Sequence, residues 1–435
     1  VFIANNQLKK QFFKNLSTAS VLSIASMALL YLSQVLTARY LGIEQFGIYY
    51  YVLSWLSIAV LLGKFGLDAT LQRFLPEYLM NAKWSLCRGL LLGSFKIGIV
   101  ASTVIVLIGL ITVTLFRQML GNTLFITLII GMLIIPIWVA NKITQGSLIA
   151  LKKPALSIIP DGLILPGCLV ISFAVFYQIT GHNISAPTAI LIHAILLTFT
   201  LIVSLIFLSR YSLAAQIKIS ESQYKTREWL NFSFPLLFIS GTQLVLNHAD
   251  IIMIGLFIDT THSGIYAAAS RISSLVTVGL LFINMILTPY ISEFFYNNRK
   301  SDLQELVTYS TRLASVIAVP IFFILIFYGD SILWLFGETF TIGHQAMIIL
   351  CIGTLFNVFS GSVGFLMSMT GHQKQSAYIF SMGCILNIFL NIILIPTYGI
   401  EGAAIATAIS MIFWNFSLAA YLKIKININS TIITH

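Results

Sequence analysis

Apolar residues fill runs of about twenty along nearly the whole chain, and short polar stretches separate them. Runs of that length with few internal charges predict helices that span a bilayer, because a helix satisfies its own backbone hydrogen bonds in hydrocarbon. Twelve helices are predicted, over 17–38, 47–67, 90–114, 123–149, 155–178, 186–208, 231–257, 264–288, 308–328, 343–369, 375–396 and 401–422. The expected fold class is an all-α integral membrane protein. Asn5–Asn15 is polar and basic, and the apolar run behind it is too long for a signal h-region, so no cleaved leader is expected.

Composition narrows the class further. Of 435 residues, 58% are hydrophobic and 9% are charged, whereas a soluble domain carries roughly 25% charged residues. A soluble enzyme, a disordered chain and a disulfide scaffold are excluded. The formal net charge is +10, but the basic residues do not cluster, so nucleic acid is not an expected partner. They sort by side instead. One set of loops holds Lys9, Lys10, Lys14, Arg73, Lys83, Arg88, Lys152, Lys153, Arg210, Lys218, Lys225, Arg227, Arg299, Lys300, Lys374, Lys423 and Lys425, and the other holds Arg39 and Arg117. The positive-inside rule puts the first set, and both termini, in the cytoplasm. Cys87, Cys168, Cys351 and Cys384 lie far apart, so neither a metal site nor a redox pair is expected.

The chain also reads as two halves. The polar stretch Ser209–Glu228 divides it into 1–215 and 216–435, with six spans each. Gly47-Ile48-Tyr49 opens the second span and Gly264-Ile265-Tyr266 the eighth, and each of these spans runs toward a proline, Pro76 or Pro289. Two pseudo-symmetric six-helix bundles around a central cavity are predicted, with parallel repeats because each half has an even number of spans.

Ionisable groups inside the spans are the candidate chemistry, since a charge in hydrocarbon costs several kcal/mol. Lys142 and Asp161 flank the turn Leu151–Pro154 at similar depth, and Asp250 and Arg271 flank the turn Asp259–Ser263. Lys64 and Asp68 sit at i,i+4 on one helix face. Two readings stay open: structural ion pairs that hold hairpins together, or direct contact with substrate. Arg39 reads as an interfacial anchor answered by Glu44, and Lys96 and Arg312 as snorkelling side chains. His193 and His248 read as neutral, hydrogen-bonded groups between helices. Bases outnumber acids in the spans, so the cavity is expected to be cationic and suited to a phosphate. Asp68, Asp161 and Asp250 are the candidate structural or coupling acids. Pro136, Pro160, Pro166, Pro235 and Pro320 are expected to interrupt helices where backbone lines a cavity. No Walker A, HExxH or GxSxG motif occurs, and no loop could house a catalytic domain. Transport is expected rather than enzymatic catalysis, with no cofactor.

Several segments carry a family resemblance. Arg39-Tyr40-Leu41-Gly42 followed by Phe46-Gly47-Ile48-Tyr49 resembles the signature after the first helix of bacterial polysaccharide exporters. Gly66-Leu67-Asp68-Ala69 with Arg73-Phe74-Leu75-Pro76-Glu77 matches the next segment of that pattern. Ala249–Gly255 followed by Gly264–Ala269 is the most specific match, and Thr370–Lys374 and Leu394–Ala404 complete it. The chain resembles the polysaccharide transporter (O-antigen flippase-like) branch of the multidrug/oligosaccharidyl-lipid/polysaccharide (MOP) exporter superfamily, over nearly its whole length. The resemblance implies a MATE-like fold in a bacterial inner membrane. It also implies movement of undecaprenyl-diphosphate-linked oligosaccharide between leaflets by alternating access. The implied partners are lipid-linked oligosaccharide, membrane lipid, a polysaccharide polymerase and glycosyltransferases. Arg39, Lys64, Lys142 and Arg271 are the positions expected to meet the headgroup. The competing readings are a multidrug cation antiporter of the same superfamily and a non-transporting scaffold of a polysaccharide assembly complex.

Overall fold

The computed structural model describes residues 6–211, 220–297 and 299–432, and these are helical with no strand among them. Among the described residues, ten helices are long and apolar enough to cross a membrane. The last of these, Gln373–Ile426, is long enough for two crossings. Within it Gly399 adopts φ 63 and ψ −137, a conformation open to glycine and costly for any residue with a Cβ. Asn387 on one arm donates to Thr407 on the other at 3.0 Å, so the arms fold back on each other as a hairpin. With the shorter apolar helix Leu244–Phe257, the predicted twelve crossings are accounted for.

Contacts divide the chain into two compact units, Val1–Gly241 and Thr242–His435. The boundary expected from sequence, at 215/216, lies outside the described residues. Residues after it are stitched to the first unit. Gln223 N–H donates to Ser85 C=O at 3.1 Å, Arg88 donates to Ser220 C=O at 2.7 Å, and the Trp229 indole donates to the Tyr78 hydroxyl at 3.1 Å.

In the first unit the fourth span, Asn122–Ala150, is the central helix and packs on the second, third and sixth spans. It buries Leu128, Ile134, Ile135, Val139, Ile143 and Leu148. The third span, Trp84–Leu115, shows the opposite pattern. Val100, Val104, Leu107, Ile108 and Ile111 recur at helical spacing, and each is about half exposed or more. In water such a stripe would be a liability, but against lipid it is the ordinary outer face of a bundle.

The second unit has a dense core at one end, where Leu303, Val307, Leu366, Met367, Leu418, Leu422 and Ile428 are buried together. The tenth span, Glu338–Ser360, stops at Gly361 (φ 73), and a short helix, Val363–Met369, continues the chain. The expected proline interruptions are mostly absent. Pro136, Pro235 and Pro320 sit inside unbroken helices. A missing N–H bends a membrane helix without ending it when neighbouring helices hold both halves. Of the spans with these prolines, the fifth departs, with a π-helical turn over Ile159–Ile164 that begins beside Pro160.

Candidate functional site

The first unit builds a polar centre around Asp161. The π-helical turn widens the fifth span at this residue, and the fourth span faces it with consecutive side chains. Asn141 donates to Asp161 Oδ1 at 2.7 Å, and Lys142 Nζ stands 2.9 Å from Asp161 Oδ2. Lys142 also reaches the Gln145 side-chain oxygen at 3.3 Å. Asn141 is fully buried and extends the network into the sixth span, where the Ser204 hydroxyl donates to its oxygen at 3.1 Å. The pairing of Lys142 with Asp161 expected from the turn geometry is therefore present. A separate contact joins the second and sixth spans: the Tyr49 hydroxyl and His193 Nδ1 lie 2.6 Å apart, and both residues are buried.

Lys64 and Asp68 also pair, at 2.7 Å, but they do not share one continuous helix. The helix Ile43–Lys64 ends at Phe65 in the left-handed region (φ 50), and Leu67–Met80 starts a new one. Lys64 closes the first helix and Asp68 opens the second, so each charge opposes the partial charge of its own helix end. Arg39 is exposed in the last turn of the first helix. Lys96 and Arg312 are exposed on their spans.

The second unit holds a different centre. Asp250 is 4% exposed. Asn391 donates to its Oδ1 at 2.7 Å, while Tyr266 and Thr407 each donate to Oδ2 at 2.5 Å. Asn391 in turn donates to the Asn387 oxygen at 3.1 Å. The Asp250–Arg271 pair expected from sequence is not formed. Among the described residues, the partners of this carboxylate are uncharged donors. Equal distance from a turn fixes depth but not direction around a helix. Tyr266 and Arg271 are five residues apart, about 140° around the axis, so one carboxylate faces only one of them. Arg271 is half-buried on its own face.

Sequence reasoning named Tyr266 only as part of the repeated Gly-Ile-Tyr motif and did not single out Asn141, Asn387, Asn391 or Thr407. Asparagines in apolar spans could have been found, because an unsatisfied amide in hydrocarbon is costly and therefore marks a polar contact. Their partner could not, since Asp250 and the hairpin that carries Asn387, Asn391 and Thr407 are far apart in the chain. The two centres differ in chemistry. Asp161 is balanced by an adjacent ammonium. Asp250 is held by three neutral donors, an arrangement in which the carboxyl can take up or release a proton without a neighbouring base losing its partner.

Comparisons with known proteins bear on both units. The family profile "Polysaccharide biosynthesis protein" matches residues 12–295, and the MatE profile matches residues 235–393. The chain is similar to a Haloferax volcanii protein described as a probable low-salt glycan biosynthesis flippase, Agl15. The two are 27% identical over 180 residues, which are 41% of this chain and 38% of that protein, so the match spans well under half of the relative. Among solved structures, an inward-facing multidrug resistance MATE-family transporter of the MOP superfamily superposes with a TM-score of 0.74 at 14% identity, covering 92% of this chain and 94% of that one. The inward closed lipid II flippase MurJ gives a TM-score of 0.68 at 18% identity, covering 93% and 87%. These superpositions establish the fold, and the profile match over most of the length establishes the family: the chain belongs to the polysaccharide biosynthesis protein family, and its long apolar helices make it a multi-pass membrane protein.

Proposed function

We propose that this protein moves a lipid-linked oligosaccharide between the leaflets of the membrane, with the undecaprenyl-diphosphate-linked repeat unit of a bacterial surface polysaccharide as its substrate. The observation that carries this reading is the polysaccharide biosynthesis profile over residues 12–295. The glycan-flippase description of the Haloferax relative and the shared fold of the lipid II flippase lend support. The physical problem fits the residues. A diphosphate and its sugars cannot enter hydrocarbon unaided, whereas a prenyl chain can stay in it. Basic side chains at the membrane lower that barrier by pairing with phosphate. Arg39, Lys64 and Lys142 in the first unit and Arg271 in the second are the proposed headgroup contacts. Lys64 and Lys142 already hold carboxylates and would have to exchange them for phosphate. Both termini are proposed to face the cytoplasm of a bacterial inner membrane, with glycosyltransferases and a polymerase as functional partners.

A cation antiporter is the second reading, and one observation favours it. Asp250, within the MatE match, is a buried carboxylate whose partners among the described residues are neutral. In the flippase reading the same residue is a coupling acid, and energy comes from an ion gradient. Depletion in cells separates the readings. A flippase leaves lipid-linked glycan on the cytoplasmic leaflet, and complementation by Arg39→Gln or Arg271→Gln fails although the variant is present in the membrane. If no glycan accumulates in a strain without a second exporter, and sensitivity to lipophilic cations rises instead, the antiporter reading replaces this one. A scaffold would tolerate both substitutions.

A further inference from the structure

The tenth span stops at Gly361, and the chain restarts two residues later as the short helix Val363–Met369. The break is held from behind. A Cβ on Gly361 would meet the Thr311 hydroxyl and Ser430 C=O, because residues 428–432 lie against it as a clasp. Gln304 grips the Asn429 backbone from both sides: its amide donates to Asn429 C=O at 2.7 Å, and its oxygen accepts from Asn429 N–H at 2.7 Å. Thr311 donates to Ser430 C=O at 3.0 Å, and Ile432 N–H donates to Phe359 C=O at 3.0 Å.

The break opens on a cavity of about 350 Å³ inside the second unit. That is the small end of ligand pockets, which run from roughly 300 to 1,000 Å³. Phe365, Phe380 and Trp414 line it with aromatic rings, and the Phe380 and Trp414 centroids are 5.9 Å apart. Gly383 lets the Trp414 ring lie close against its own helix arm, where a Cβ would stand 2.9 Å away, so the ring is seated from behind. Asn284, Asn357 and Asn415 line the cavity with amides, and none of the described residues lining it is charged. Asn284 accepts from the Ser362 hydroxyl and so helps to fix the break. Asn415 is 1% exposed; one of its N–H groups donates to Met411 C=O of its own helix at 2.9 Å, which leaves its oxygen for another donor. The Asn357 side chain makes no hydrogen bond among the described residues. An amide within a membrane span calls for a partner.

We propose that this cavity takes one neutral pyranose ring, stacked on the aromatic rings and bonded through its hydroxyls to Asn357 and Asn415. The inference rests on the proposed function for the source of the sugar, which is the glycan of the lipid-linked headgroup. A pyranose has a face of C–H groups, which suits an aromatic ring, and a rim of hydroxyls that donate and accept, as an amide does. A uronate or a phosphate would bring charge into a lining with none to answer it. An acyl chain would leave both amides unanswered.

The test uses the full chain in phosphatidylcholine nanodiscs with dodecyl glycosides of glucose, galactose and N-acetylglucosamine. Each carries a diazirine on the sugar, and mass spectrometry locates the label. At least one is expected to label the segments around Asn284, Asn357 or Asn415. The same glycoside without diazirine is expected to suppress that label several-fold, and dodecyl glucuronide is not. Gly364→Leu adds bulk at a helical position where a Cβ meets only the Phe380 ring, at 3.7 Å, and is expected to cut labelling several-fold. Asn357→Leu is expected to lose the label while its unfolding temperature stays level or rises, since it removes an amide that no described residue answers. Equal labelling by a dodecyl diazirine without sugar, equal competition by the glucuronide, unchanged labelling in both variants, or a lower unfolding temperature in Asn357→Leu would each overturn the proposal. The probes carry no diphosphate, so the two readings fail separately. A protein that flips lipid-linked glycan but fails these tests loses only the sugar subsite, and one that passes them but moves no glycan loses only the flippase reading.

Discussion

Lys64 Nζ and Asp68 Oδ2 meet at 2.7 Å across a break in the second span, one charge at the end of a helix and the other at the start of the next. The side chains are 17% and 24% exposed, so water screens the pair only in part. Asp68→Asn is expected to destabilise the protein by about 1–2 kcal/mol, between the values for exposed and buried pairs. The swapped variant Lys64→Asp/Asp68→Lys restores opposite charges but sets each against its helix end, and is expected to recover only part of the loss. Thermal unfolding of the purified protein measures both. Full recovery in the swap would remove the helix ends from the account.

The Lys142–Asp161 pair invites a double-mutant cycle. Lys142→Met leaves Asp161 with Asn141 as a neutral donor, at an expected cost of about 1–3 kcal/mol, tempered because Lys142 is 34% exposed. Lys142→Met/Asp161→Leu is expected to cost less than either single change, since no uncompensated charge stays inside the bundle. Additive costs would mean that the two groups do not interact.

At Asp250 the prediction divides structure from coupling. Tyr266→Phe removes one of three donors and is expected to cost about 1.5–3 kcal/mol of stability, the range for a hydrogen bond to a charged group. Asp250→Asn is expected to leave a folded protein that no longer transports. Transport by Asp250→Asn at the unmodified rate would make this carboxylate structural only.

Asp259 gives a pH dependence outside the spans. Its side chain caps the helix Thr260–Ser273, accepting from His262 N–H at 2.8 Å, with His262 Nδ1 2.8 Å from the other oxygen. Partial burial pushes the carboxyl up, but the hydrogen bonds and charge of His262 prevail and hold it below the ordinary aspartate range. A depressed folded value means that the stabilisation is present above the unfolded pKa and is lost as pH falls through the folded one. Stability is expected to decline on acidification below the ordinary aspartate range, and Asp259→Asn should flatten that limb. A pH–stability curve unchanged in the variant would show that the cap does not titrate there.

Gly399 makes the turn between the last two spans. Gly399→Val is expected to cost about 1–3 kcal/mol or more, because φ 63 with ψ −137 is closed to a β-branched residue. Tyr398→Ala next to it, at an exposed position, is expected to be nearly neutral. Similar losses for the two would place the constraint elsewhere.

Much of the candidate chemistry was legible wherever a short turn fixed the geometry. Lys142 and Asp161 flank four residues of turn, so equal distances from it put them at one depth, and they pair. The same reasoning misplaced Asp250, because Arg271 lies at the right depth on the wrong face and Tyr266 takes the contact. The prolines misled for a related reason. Sequence shows the lost N–H of Pro136 or Pro320, but not the neighbouring helices that keep the backbone straight enough to continue.

The sequence alone determined that this chain crosses a membrane many times, in two halves, with charge placed where hydrocarbon makes it costly. A bilayer imposes a length and a polarity on each crossing separately, and such local demands can be read one segment at a time. Tertiary structure alone decided which polar groups meet: Asn141 with Asp161 and Ser204, Asp250 with the hairpin around Gly399, and Gln304 with the clasp at Asn429. Those contacts depend on the rotation of each helix about its axis. Packing against the other helices sets that rotation, and no single segment contains it.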